Sequence, residues 1–234
     1  MNILTGYLSA TSGRAMVGGI DMLENPIEAK KLIGFLPEQP PLYQDMTVEE
    51  YLNFVYDLKG CEFEREAHIN EIVNVVKIAD VKKRLIKNLS KGYRQRVGIA
   101  GAIIGNPEVI IFDEPTNGLD PKQIIDIRNL IRMLGKEHTI ILSTHILPEV
   151  QAVCDRIVVI NKGKVVANEK TEDLVTAVDG SRKMVAKVVG PQDEVLKTLK
   201  GVAGIRSVDV LGKRDTDSIS YLIESEDRVD ARKP

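Results

Sequence analysis

The stretch Val-Ile-Ile-Phe-Asp-Glu-Pro at residues 109–115 joins an apolar run to two adjacent carboxylates and a proline. A short run of this kind predicts a buried strand of a parallel sheet. Carboxylates at the carboxyl end of such a strand lie where these sheets bind ligands. Asp113 can hold Mg²⁺ there, and Glu114 can polarise an attacking water. The alternative is a purely structural strand end before a proline turn.

Other apolar runs extend this pattern in both directions along the chain. Residues 31–36, 139–142 and 156–160 predict further strands, the last two of them buried. A helix is predicted between residues 112 and 139, and its inward face consists of Ile124, Ile127, Ile131 and Leu134. This alternation predicts an α/β fold with a mostly parallel sheet that helices cover on both faces.

Two segments depart from the alternation. Residues 44–105 have a helical pattern, in which Thr47 and Glu50 resemble a capping box, and this predicts a helical subdomain inserted between strands. After Gly180, short alternating strands and one helix predict a small β-α-β-β extension. We therefore expect one domain over residues 1–178 and a second, incomplete one over residues 179–234.

Composition excludes several classes of protein. The chain has 234 residues with 32 Lys and Arg against 34 Asp and Glu, so no overall basic charge favours nucleic acid. Its longest nearly uncharged apolar run, residues 97–105, is far shorter than the ~20 residues of a membrane-spanning helix. The two cysteines, Cys61 and Cys154, form no CxxC pair, which disfavours a disulfide scaffold or a zinc site.

A second signal is Leu-Ser-Lys-Gly-Tyr at residues 89–93, about twenty residues before the carboxylates. Ser90 is a suitable N-cap for the helix that follows, and Gly92 allows a phosphate to approach the backbone. A helix N-terminus also offers free N–H groups and a positive dipole end to an anion. The alternative is an ordinary capped helix.

Three polar residues complete the set in a fixed order. Gln39 follows the strand that ends at Pro37, Asp120 lies in Asn-Gly-Leu-Asp-Pro at residues 117–121, and His145 follows the strand at residues 139–142. A histidine there can donate a hydrogen bond to a phosphate oxygen. Taken singly, they are more simply explained as a loop residue, a helix N-cap and a turn histidine.

Together these motifs resemble the nucleotide-binding domain of ABC transporters, a P-loop NTPase fold, over residues 1–174. Gln39 matches the Q-loop, residues 89–93 the signature, residues 110–114 the Walker B strand, residues 117–120 the D-loop and His145 the switch histidine. The signature differs from Leu-Ser-Gly-Gly-Gln at Lys91 and Tyr93, and its form is similar to that of ABC-2 type exporters and gliding-motility relatives.

The resemblance implies ATP and Mg²⁺ as ligands and assigns roles to individual residues. Its implied catalytic residues are Glu114, His145 and Gln39, and its implied metal ligands are Asp113 and Gln39. The implied nucleotide contacts are Ser90, Lys91, Gly92, Tyr93 and Asp120.

One expected motif is missing from the chain. A P-loop requires Gly-x-x-x-x-Gly-Lys-Ser/Thr, whose amides and lysine cradle phosphates. The Gly-Lys pairs at residues 135, 163 and 212 would need glycine where Leu130, Val158 and Ser207 stand. We expect a chain truncated before or within this region, with residues 1–7 as the end of the helix that follows the loop. Such a chain is expected to be inactive alone, and its Walker B strand is expected to have an exposed edge.

The sequence leaves three functions open. The first is the ATP-hydrolysing subunit of an exporter, which pairs with a second cassette and a transmembrane permease on the inner face of the cell membrane. The second is a non-hydrolytic regulatory or assembly subunit that lends its signature to a complete partner. A soluble ABC ATPase of DNA repair or translation is disfavoured, because the chain has no coiled-coil insertion and no basic tail.

Overall fold

The computed structural model describes residues 1–171, 183–213 and 219–225. It divides into two compact units, Met1–Val153 and Cys154–Pro234. The boundary predicted between residues 178 and 179 lies outside the described residues, so the assignment of two domains stays a prediction. In the part of the chain that the structure describes, no helix has the length and apolar character required to cross a membrane.

The chain begins with a single helical turn that a glycine closes. The Gly6 amide donates to the Ile3 carbonyl and the Tyr7 amide to the Asn2 carbonyl, with Gly6 at φ +73°. This pair of bonds around a left-handed residue is a Schellman motif. Residues 2–6 are turns and not an assigned helix, so the expectation that residues 1–7 end a longer helix stays a prediction. A short hairpin of β1 (Met16–Val17) and β2 (Ile20–Asp21) follows.

The central sheet has three parallel strands in the order β3-β4-β5, and helix α1 (Pro26–Lys31) precedes it. The strands are β3 (Ile33–Leu36), β4 (Val109–Asp113) and β5 (Thr139–Ser143). Side chains of β4 alternate between two cores: Ile110 and Phe112 join the larger cluster, and Ile111 joins the smaller. Burial on both faces explains why this strand is continuously apolar.

The expectation that β4 has an exposed edge is wrong. β4 is hydrogen-bonded to β3 on one side and to β5 on the other, so both of its edges are paired. Among the described residues the edges of this sheet are β3 and β5. The side chains of Ile140, Ile141 and Leu142 on β5 are correspondingly only half-buried.

The helical subdomain contains α2 (Val48–Leu58), α3 (Arg65–Val75) and α4 (Lys91–Ile103), with two short 3₁₀ turns, Ala79–Val81 and Ile86–Asn88, between the last two. The predicted capping box is present, since Thr47 and Glu50 bond each other's backbone amides. Ile69, Ile72 and Val73 of α3 are buried and belong to the larger core. Two further helices, α5 (Pro121–Leu134) and α6 (Leu147–Val153), flank β5 in sequence.

The second unit begins with a hairpin of β6 (Arg156–Asn161) and β7 (Lys164–Lys170). The prediction that residues 156–160 form a buried strand is wrong, because Val158 and Ile160 are 52% and 66% exposed. Lys162 and Gly163 both have positive φ, which is the geometry of a two-residue hairpin turn. This turn pairs β6 with β7, and among the described residues neither strand has another partner strand.

The rest of the second unit is an antiparallel sheet with one helix. The elements are β8 (Lys183–Val188), α7 (Gln192–Lys200), β9 (Ile205–Lys213) and β10 (Ile219–Ser225), and the strand order is β8-β10-β9. Val208, Tyr221 and Ile223 form its small core. The β-α-β-β order predicted from the sequence is confirmed for the described residues.

A lysine joins two helices of the helical subdomain. Lys59, just after α2, donates from Nζ to the carbonyls of Ala102 and Ile104 at 2.8 and 2.6 Å. These carbonyls lie at the end of α4, where helix oxygens lack intrahelical partners and a cation is favourable. Burial lowers the pKa of Lys59 to about 8.

We predict that Lys59 makes the free energy of unfolding change with pH in the alkaline range. Its pKa in the folded chain is below the value of about 10.4 in the unfolded chain, so between pH 8 and 10 the unfolded chain binds more protons. The free energy of unfolding should therefore rise over this range, by on the order of 1–2 kcal/mol after allowance for partial exposure to water. Urea titrations at several pH values measure this rise.

The matched variants are Lys59→Met, which should lose the rise, and Lys83→Met, at an exposed position, which should keep it. Parallel curves for the wild type and Lys59→Met across pH 8 to 10 would contradict the prediction.

Candidate functional site

The candidate site lies where the parallel strands of the central sheet end. The register pairs Leu36 of β3 with Phe112 of β4, and Asp113 of β4 with Ser143 of β5. The loops after these strands carry Gln39, Glu114 and His145. The structure thus brings the predicted catalytic residues to one edge of the sheet, the edge at which α/β folds bind ligands.

Glu114 has an unusual backbone conformation. Its φ is +45°, a left-handed value that non-glycine residues rarely adopt. Such strain persists only where the surroundings hold it, at a cost on the order of 1–3 kcal/mol. Here the Glu114 amide donates to the Ser143 carbonyl at 2.9 Å, and its carbonyl accepts from the Asn117 amide at 3.1 Å. The chain therefore turns sharply away from the sheet after Asp113.

The Glu114 carboxylate is bound by the loop that follows β5. Oε1 lies 2.7 Å from His145 Nδ1 and accepts from the His145 amide at 3.1 Å, while Oε2 accepts from the Thr144 hydroxyl at 3.1 Å. The Glu114 side chain is 18% exposed and that of His145 is 76% exposed. The hydrogen bond to Glu114, followed by the charge of that carboxylate, raises the pKa of His145 above its usual value.

The raised pKa has a chemical consequence. A neutral imidazole whose Nδ1 carries the proton for Glu114 has Nε2 as an acceptor, whereas an imidazolium donates from both nitrogens. By raising the pKa of His145, Glu114 favours the form in which Nε2–H can donate to an anion. The Glu114–His145 pair is thus suited to an anionic substrate.

Asp113 is the carboxylate left for a cation. It accepts no hydrogen bond from the described residues, and these contain no cluster of three or more His, Cys, Asp or Glu side chains with the geometry of a metal site. Mg²⁺ is usually bound through one or two carboxylates together with substrate phosphates. Asp113 fits an ion held mainly by a nucleotide. Gln39, the other predicted ligand, is exposed in the loop after the neighbouring strand β3, and metal binding by either residue stays a prediction.

A contact that the sequence does not predict connects the loops after β3 and β4. The Asn117 side-chain amide donates to Glu38 Oε1 at 2.7 Å. Gln39, next to Glu38, is exposed, and its side chain makes no hydrogen bond with the described residues. Glu38 belongs to no recognised motif. The only sequence signal for a role of Glu38 in the site is its position beside Gln39 in the loop after β3.

The N-terminus of α4 lies against the turn after β4, which we call the β4–α5 turn (residues 114–120). A Cβ at Gly118 would collide with Lys91 Nζ, and one at Gly92 would lie 2.6 Å from the Gln123 side chain. Ser90 is exposed, and its hydroxyl accepts from the Tyr93 amide at 3.3 Å, so the predicted N-cap is confirmed. Nucleotide contact by Lys91 and Gly92 stays a prediction, since both also pack within this chain.

Tyr93 and Asp120 also have partners inside the chain. The Tyr93 hydroxyl donates to Asp80 at 2.7 Å, and this bond raises the pKa of Tyr93. Asp120 accepts from the Gln123 amide at 2.9 Å as the N-cap of α5. The structural alternative considered for Asp120 is thus present, and nucleotide contact by either residue stays a prediction.

Comparisons with known proteins agree on one family. A family model for ABC transporters matches residues 1–117. The chain is 36% identical to the lantibiotic transport ATP-binding protein SrtF of Streptococcus pyogenes, over 73% of this chain and 72% of SrtF. It is also 36% identical to the bacitracin transport ATP-binding protein BcrA of Bacillus licheniformis, over 70% of this chain and 54% of BcrA.

A solved structure of an ATP binding subunit of an ABC transporter has a similar fold. The TM-score is 0.67 at 27% identity, over 76% of this chain and 75% of that one. The chain spans less than two thirds of the length of several curated relatives that it matches, BcrA among them.

We predict that the Glu114–His145 pair is visible in a histidine titration. The chain contains three histidines, so NMR resolves each imidazole. His145 should titrate above about 6.5, and Glu114→Gln should lower its pKa toward that value because the charged acceptor is lost. His68, whose pKa burial lowers, is the internal control and should not respond to Glu114→Gln. An unchanged His145 titration in Glu114→Gln would refute the pairing.

Proposed function

Since this chain belongs to the ABC transporter family, we propose that it is the ATP-binding subunit of an exporter, in which a cassette dimer couples ATP to substrate movement through a membrane partner. One observation carries the proposal: Glu114 and His145 are joined at the carboxyl edge of the sheet, 2.7 Å apart, beside the free carboxylate of Asp113. A carboxylate that orients water and a donor for phosphate are what phosphoryl transfer to water requires.

Each residue has a distinct task in this proposal. Glu114 accepts a proton or hydrogen bond from the attacking water, which is possible because a carboxylate with three donors still has a free lone-pair position. His145 donates from Nε2 to the terminal phosphate. Asp113 and Gln39 hold the ion, and Mg²⁺ when bound with ATP neutralises charge on the phosphates.

We propose further that the 234-residue chain alone does not turn over ATP. No stretch of its sequence has the P-loop spacing, because Leu130, Val158 and Ser207 stand where the first glycine is required. Without the amide cradle and its lysine, a triphosphate has few partners at this edge. Its charge would be met mainly by His145 and a bound cation.

The signature of this chain can serve a partner. Ser90 is exposed at the N-terminus of α4, where free amides and the dipole favour an anion. The family pattern is a head-to-tail dimer, in which the signature of one cassette covers the nucleotide held by the P-loop of the other. This supports the second candidate function, a non-hydrolytic subunit that completes the site of a full cassette.

A transmembrane partner is proposed to dock on the segment from Gln39 to about residue 88, which would hold the chain at the inner face of the cell membrane. Aromatic side chains exposed on this segment support the proposal: Tyr43, Phe54 and Phe63 are 52%, 36% and 48% exposed, and the Tyr43 and Phe54 rings meet edge to face at 5.2 Å. Exposed aromatic groups are enriched at protein interfaces.

An ATPase assay with a complemented partner tests the proposal. The chain alone should show no turnover above background. Mixed with a complete cassette of the family whose own signature serine is replaced by arginine, it should restore turnover at one composite site. Ser90→Arg should abolish that turnover, because a bulky cation then blocks the anion-binding end of α4. Glu114→Gln should leave it unchanged, because in the proposed composite site the complete cassette supplies the P-loop and the water-orienting carboxylate.

The two variants separate the candidate functions. Turnover by the chain alone that disappears in Glu114→Gln would contradict the proposed inactivity. A composite activity that survives Ser90→Arg would contradict the proposed role of the signature.

A further inference from the structure

Glu149, on α6, is a buried acid that the proposed mechanism does not use. Its exposure is 2%. A buried carboxylate is costly unless donors surround it. We infer that Glu149 is a positioning residue that holds together the β4–α5 turn and the β5–α6 loop (residues 144–146), the segments that carry Glu114 and His145.

Three donors from three elements meet at this carboxylate. The buried Thr116 hydroxyl, in the β4–α5 turn, lies 2.7 and 2.6 Å from its two oxygens. The Thr144 hydroxyl, in the β5–α6 loop, lies 3.4 Å from Oε2. Arg128 of α5 forms an ion pair at 3.5 Å, although its own Nε is buried without a partner among the described residues. The carboxylate therefore bridges elements that are distant in sequence.

Thr144 connects Glu149 to Glu114. Its hydroxyl lies 3.1 Å from Glu114 Oε2 and 3.4 Å from Glu149 Oε2, but it has only one proton to donate. The two carboxylates compete for this proton. While Thr116 satisfies Glu149, the Thr144 hydroxyl is free to donate to Glu114 at the shorter distance.

The consequence is a connection between the surface turn and the catalytic pair. When a partner contacts residues 117–120 and displaces Thr116, Glu149 loses its Thr116 donor and competes more strongly for the Thr144 proton. Glu114 then loses its hydrogen bond from Thr144. The value of this connection rests on the proposed function, in which a second cassette faces that turn. The contacts themselves lie within this chain and can be tested in it alone.

The alternative is that Glu149 serves packing only. In that case, removal of the Thr116 hydroxyl lowers the stability of the whole unit and has no directed effect on residues 145 and 146. The two explanations therefore predict different patterns of local opening, which amide exchange resolves residue by residue.

Native-state hydrogen exchange on the 234-residue chain distinguishes them. The reporters are the amides of Asn117, Leu119, His145 and Ile146, each hydrogen-bonded within the two segments, and the amide of Ile131 in α5 is the reference. Thr116→Val keeps the shape of the side chain and removes the donor. We expect His145 and Ile146 to exchange at least about tenfold faster relative to Ile131, since a lost bond to a charged group has effects of this size.

Matched variants complete the experiment. Glu149→Gln should produce the same acceleration at residues 145 and 146. Two control variants should match the wild type: Thr116→Ser keeps the hydroxyl, and Glu137→Gln removes only an exposed charge. The inference is overturned if Thr116→Val accelerates only Asn117 and Leu119, or if it accelerates all amides, Ile131 included, by one factor. Because no nucleotide or partner is used, either result leaves the proposed function untouched.

Discussion

Two parallel registers determine where Asp113, Glu114 and His145 lie. Leu36 beside Phe112 and Asp113 beside Ser143 bring the ends of β3, β4 and β5 to one edge of the sheet. The registers hold because β4 is buried on both faces, and a shift by one residue would exchange its two cores. The chemistry at the edge therefore depends on apolar packing beneath it.

The left-handed turn at Glu114 converts this edge into a site. The bond from its amide to Ser143 holds a strained backbone in place, and that backbone brings the carboxylate to the loop after β5. The carboxylate then receives donors from Thr144 and His145, so its position is fixed before any substrate arrives. A carboxylate held in place in this way needs no reorganisation before it acts in the proposed reaction.

Much of this arrangement was predictable from the sequence, because it follows from local patterns. The strand at residues 109–113, the capping box at Thr47 and the N-caps Ser90 and Asp120 are each encoded within a few residues. Strand pairings between distant parts of the sequence were harder to predict. The pairing of β6 with β7 depended on a two-residue turn, and the paired edges of β4 depended on which strands become its neighbours. Glu149 carries no motif, and only its burial among distant donors reveals it.

Glu114 holds His145 through Nδ1, and the tautomer of the neutral imidazole tests this contact most directly. Long-range ¹H–¹⁵N correlation spectra, recorded at a pH above the pKa of His145, report which ring nitrogen carries the proton. The structure predicts an Nδ1–H tautomer in the wild type, since Oε1 of Glu114 lies 2.7 Å from that nitrogen. An Nε2–H tautomer that is the same in the wild type and in Glu114→Gln would contradict it.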